Sequence, residues 1–127
     1  MTPVRFSVPV RTVSEANERE HYHAKADRAR EQRAWIRIKW RELSSNALSG
    51  SLTVTMTRVA PRVLDDDNLS RSCKAIRDEL AACLGLKDDR DERVTWRYTQ
   101  RKGAAREYAI EIEIARRVLC SECGQAK

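Results

Sequence analysis

No stretch of this chain approaches the ~20 consecutive apolar residues of a membrane span, and the leading Met-Thr-Pro-Val-Arg-Phe lacks the apolar core of a secretory signal. Internal repeats and low-complexity segments are missing as well. Histidine is scarce: His21 and His23 stand two apart, on different faces of any helix, so they do not share a metal site. Cysteine is limited to four residues, of which Cys73 and Cys83 fall on an apolar helix face and need no disulfide partner. A reducing, cytoplasmic compartment is therefore expected. At 127 residues, 41% apolar and 35% charged, the chain has room for one domain with one modest core and not for a second.

What the sequence does have is charge, unevenly placed. The formal net charge is +6, yet Asp65, Asp66, Asp67, Asp88 and Asp89 form two acidic clusters. Setting those five aside leaves 14 acidic against 25 basic residues, a balance of +11. A basic surface around an acidic centre is what a metal-dependent enzyme acting on a polyanion needs.

Along the chain, Arg5-Phe6-Ser7-Val8-Pro9-Val10 alternates as a strand, and Pro9 removes a backbone donor, which places that strand at an edge or ends it. Ser14 and Asn17 are both plausible caps for a long helix continued by Tyr22, Ala26, Ala29, Ile36, Trp40 and Leu43. Its other faces carry Lys25, Arg28, Arg30, Arg33, Arg37 and more, a surface that is either solvated or turned to DNA. Leu52, Val54 and Met56 then alternate with threonines as a second strand. Leu69, Cys73, Ile76, Leu80 and Cys83 recur in steps of four and three as one helix face, and Gly85 stands where a left-handed C-terminal cap belongs. Two further alternations, Val94-Trp96-Tyr98 and Tyr108-Ile110-Ile112-Ile114, join around Lys102-Gly103. If they pair as a hairpin, Arg97 or Arg101 can meet Glu111 or Glu113 on the outer face. The expected fold is α+β, in the order β-α-β-α-β-β, with two helices on one four-stranded mixed sheet, as a homodimer. A domain over residues 1–117 would be followed by a tail, 118–127, holding Cys120 and Cys123.

The stretch Asp65-Asp66-Asp67-Asn68-Leu69 opens the second helix. Asp and Asn there can accept hydrogen bonds from first-turn N–H groups, so one reading is a capped helix. One cap needs one Asp, however, and adjacent carboxylates repel one another unless a hard cation such as magnesium joins them. Both readings stand on the residues alone.

This motif, the basic first turns of its helix, and Leu84-Gly85-Leu86-Lys87-Asp88-Asp89 leading to a strand together resemble the RusA family of Holliday junction resolvases, common in phages and prophages. The likeness covers residues 50–116 well and the N-terminal half loosely, where Ser14-Glu15-Ala16-Asn17 resembles a family loop. It implies metal-binding carboxylates at Asp65, Asp67 and one of Asp88 and Asp89, with Asp89 the better match, holding Mg2+ or Mn2+. It implies also a homodimer that cuts four-way DNA junctions by paired phosphodiester hydrolysis. Asn17, Arg28, Arg33, Asn68, Arg71 and Lys74 are the expected DNA contacts. The family pattern has a lysine where this chain has Arg71, and Lys74 follows, so either is a candidate for the basic catalytic role. The two differ chemically, since Arg is a fixed cation and Lys can give up its proton. That departure supports one alternative, a DNA-binding or regulatory protein that has kept the fold and lost the chemistry; a further alternative is a nuclease of other branched DNA, which only substrate assays separate from a resolvase. In the tail, Cys120-Ser121-Glu122-Cys123 has the spacing of a zinc half-site, which a symmetric dimer would complete; the alternative, which the terminal position favours, is a reduced, disordered tail.

Overall fold

Isoleucine at every second position, Ile110, Ile112 and Ile114, suits the last strand to the centre of a sheet, because β-branched side chains at period two bury one whole face. The computed structural model describes residues 3–12, 22–43 and 51–116, with backbone alone for 22–24. In it that strand, β4 (Ala109–Arg116), lies between β1 (Val4–Val8) and β2 (Leu52–Ala60), and all three isoleucines are fully or almost fully buried. A further strand, β3 (Val94–Lys102), sits on the far side of β2, giving the order β1-β4-β2-β3. β4 runs antiparallel to both neighbours, while β2 and β3 are parallel. The sheet is mixed and the fold α+β, as expected. β1 is an edge strand that stops at Val8, just before Pro9.

The hairpin between the last two strands does not form. Alternation identifies strands but not their partners, and here β2 separates β3 from β4. Two helices and a loop provide the long crossover that a parallel β2–β3 pair demands. Arg101 still reaches Glu111 at 2.9 Å, across the intervening strand rather than along a hairpin. With both side chains about half exposed, this pair adds little stability.

Among the described residues there are three helices instead of two. The first, α1 (Tyr22–Glu42), packs on α3 (Lys74–Cys83), and α2 (Asp66–Ser72) precedes it. The stretch read as one helix breaks at Cys73, whose backbone leaves helical geometry (φ −96°, ψ 6°) and whose N–H turns back to the Ser70 carbonyl. Ser72 contributes to the break. Its buried hydroxyl donates to the Leu69 carbonyl at 2.8 Å, a local bond that competes with the helical ladder. The apolar face survives the bend: Leu69, Cys73, Ile76 and Leu80 are all buried, and Cys83 is half-buried. Gly85 (φ 73°) ends α3 as foreseen, with Leu86 N–H donating to the Ala81 carbonyl and Gly85 N–H to that of Ala82.

Val8, Val54, Met56, Val94 and the β4 isoleucines meet Ile36, Ile76 and Leu80 in one core between sheet and helices. Against this side β3 sets Trp96 and Tyr98, half-buried with polar tips. The opposite face carries Thr55, Thr57, Arg97, Glu111 and Glu113. None of the helices among the described residues is long and apolar enough to cross a membrane. Ser14, Asn17 and His21, and the Cys120–Cys123 pair, lie outside the described residues.

Candidate functional site

The acidic motif is fixed from both ends. At the helix start Asp65 is the N-cap: one carboxylate oxygen accepts from the Asn68 backbone N–H at 2.9 Å and the other from the Asn68 side-chain amide at 3.1 Å. The capping reading therefore holds for Asp65, and Asn68 is its partner. On the strand side, Gln100 makes two bonds to the Leu64 backbone, accepting from its N–H at 2.9 Å and donating to its carbonyl at 2.6 Å. Asp66 and Asp67 are exposed in the first turn of α2, and among the described residues nothing hydrogen-bonds or ion-pairs with their carboxylates.

The second acidic loop is anchored to the same strand. Trp96 donates its indole N–H to the Asp89 carbonyl at 2.7 Å. Asp89 Oδ2 is paired with Arg77 at 2.8 Å, and the same guanidinium donates to the Tyr98 hydroxyl at 2.6 Å. Burial works against the Arg77 charge, but the Tyr98 and Asp89 bonds outweigh it and hold the guanidinium more firmly protonated than an ordinary arginine. Trp96, Tyr98 and Gln100 alternate on one face of β3, so a single row of side chains positions both acid-bearing loops. Four residues at about 3.3 Å each put its ends ~13 Å apart.

Arg77, Trp96, Tyr98 and Gln100 were not singled out by the sequence. The alternation of polar-tipped side chains on β3 was there to be read, whereas nothing marked Arg77 among so many basic residues. Asp88 stands apart from its neighbour. It accepts from the Arg90 N–H at 2.8 Å and lies 3.6 Å from the Arg90 guanidinium. Just beyond, Asp91 draws two bonds from the Arg93 side chain and accepts from the backbone N–H groups of Arg93 and Lys87, so Arg93 above all holds its carboxyl far below the usual range.

Arg71 lies in the last turn of α2 and Lys74 begins α3, so they belong to different helices and not to one continuous face. The bend nevertheless brings both into one cleft of about 480 Å³ between α1 and α3, lined also by Lys25, Arg33, Ser70, Arg77 and Asp78. Asp78 is 3.3 Å from Lys74 and 3.8 Å from Arg33. Arg28, by contrast, lies on another flank of α1 and lines a separate pocket.

Among the described residues no three His, Cys, Asp or Glu side chains gather closely enough to hold a metal ion as they stand. The chemistry of the donors still suits a hard cation. Asp67 keeps both oxygens unengaged among the described residues, and Asp89 keeps Oδ1 while Oδ2 serves Arg77. Asp65 fits least well, because both of its oxygens serve Asn68. No family model matches this chain, and no curated protein matches it.

Proposed function

We propose that this chain is a magnesium-dependent endonuclease of the RusA type that resolves four-way DNA junctions as a cytoplasmic homodimer. The observation that supports it best is the row Trp96-Tyr98-Gln100, which ties both acidic loops to one strand, with Arg71, Lys74 and Arg33 lining a basic cleft alongside. Asp67 and Asp89, with Asp65 turning from its cap, would hold magnesium, which supplies positive charge at the phosphate and makes water more acidic. Arg77 holds Asp89 in place through their ion pair, while Tyr98 fixes Arg77. Arg71 and Lys74 counter the charge that develops on the phosphate, and Lys74 alone of the two can give up a proton.

A second reading has its own support. Asp65 is occupied as a cap and Asp89 as an ion-pair partner, a use of both residues that a non-catalytic DNA-binding protein would share. Cleavage of a synthetic four-way junction with magnesium, set against a linear duplex, separates the two. Asp67→Asn preserves shape and removes one charge. It should lower cleavage by on the order of 10²–10³-fold, with junction affinity equal or tighter, and Asp89→Asn should do the same. Full activity in both variants removes the metal assignment, and no cleavage by the unmodified protein favours the binding protein.

A further inference from the structure

Three of the four buried polar residues of the described chain are engaged in holding a single short segment. Gln32, 4% exposed on α1, donates to the Arg11 carbonyl at 2.8 Å. Arg58, 6% exposed on β2, donates to the Thr12 hydroxyl at 2.9 Å and to the Thr12 carbonyl at 3.1 Å, and Thr12 is itself buried. Burial lowers the Arg58 pKa, and among the described residues no carboxylate pairs with it. Ordering so many buried polar groups around one backbone stretch is costly, and the result is a fixed position for Arg11.

Arg11 projects over the Tyr108 ring, 4.9 Å from its centroid, and no carboxylate among the described residues is paired with it. The two line a pocket of about 320 Å³ together with Pro9, Arg28, Gln32, Arg106 and one acid, Glu31. Among the described residues, three arginines and one carboxylate line this pocket. Arg106 is held there by a left-handed backbone (φ 62°), an uncommon conformation for a residue other than glycine.

We infer that this pocket is a preorganised phosphodiester-binding site, separate from the acidic centre, that grips the DNA backbone away from the bond being cut. Planar guanidinium forks match phosphate oxygens, and an arginine already stacked and clamped loses little freedom on binding. The sheet register fixes its place relative to the acidic motif. Gln100, Arg58, Ile110 and Val8 form one row across β3, β2, β4 and β1. Gln100 holds Leu64 at one end, and the chain leaves Val8 for the pocket at the other. Arg58, between them, bonds toward both, to Thr12 on one side and to the Arg62 carbonyl on the other. Three strand spacings of about 4.8 Å span roughly 14 Å, or about four base steps along one arm.

The inference rests on the nucleic-acid reading above but not on catalysis, so its test is read as binding alone. Affinity of the full chain for a short labelled duplex is measured in EDTA at salt between about 50 and 200 mM. Arg106→Gly removes the charge while suiting the left-handed backbone, so misfolding does not mimic the effect. It should weaken binding about fivefold or more and flatten the slope of log K against log salt by about 1. Arg41→Ala, the same charge loss at the far end of α1, should change affinity less than about twofold. Equal behaviour of the two variants overturns the inference. So does saturable binding of dAMP that Arg106→Gly abolishes while duplex affinity is unchanged, which would assign the pocket to free nucleotides. No duplex binding by the unmodified protein overturns the nucleic-acid reading as well. Normal duplex binding with the Arg106→Gly loss, but no junction cleavage under magnesium, supports this pocket and removes only the nuclease.

Discussion

A phenol hydroxyl on β3 decides how Asp89 is presented. Tyr98→Phe deletes the acceptor for Arg77 yet leaves the ring, whose centroid lies 5.9 Å from the guanidinium carbon, so it isolates one hydrogen bond. The expected cost is about 1–2 kcal/mol in urea unfolding, because a partly buried charged donor loses its partner. Asp91 gives a pH signature. Its folded carboxyl lies below the ordinary value, so its contribution is fully present above the unfolded pKa and is lost as pH falls through the folded one. Asp91→Asn should therefore shallow the decline of stability in acid while leaving the neutral-pH side of the profile flat, as acid titration of the fold by circular dichroism would show. At this scale the sequence exposed the acids themselves but not their partners. Asp65 and Asp67 are two apart and chemically identical, yet Asn68 takes one as a cap and leaves the other unengaged among the described residues. No pattern within the motif distinguishes them.

Among the elements, apolar periodicity located the strands and the buried helix face, since burial is what periodicity records. It did not register the break at Cys73, because a bend that keeps Leu69, Cys73, Ile76 and Leu80 facing the core leaves the apolar pattern intact. The bond from Ser72 to Leu69 that contributes to the break is a polar contact, to which hydrophobic spacing is blind. The end of α3 was legible for a different reason: glycine is the residue that meets a left-handed backbone at least cost. Gly85→Ala places a Cβ in open space, so strain alone is measured, and it should cost about 1 kcal/mol in urea unfolding with the slope unchanged. A neutral result would mean that the turn adopts another conformation in solution.

For the molecule as a whole, strand order was the part beyond reach of pattern, because β4 matches β3 in alternation but pairs with β1 and β2. That order sets β3 beside β2, where one row of β3 side chains reaches both acid-bearing loops. It also sets a timetable for synthesis. Among the described residues β1 has β4 as its sole partner in the sheet, Val4 opposite Ile114 and Val8 opposite Ile110, so it emerges from the ribosome more than a hundred residues before the strand that will pair with it. Until then β2 also lacks one of its two neighbours. Such distant pairing is slow to form and leaves nascent strands open to wrong partners. Chains halted before Ala109 should be cleaved by protease at concentrations the full chain resists, and the resistance should appear abruptly as the last isoleucines clear the exit tunnel. Gradual protection from the N-terminus onward would contradict that schedule.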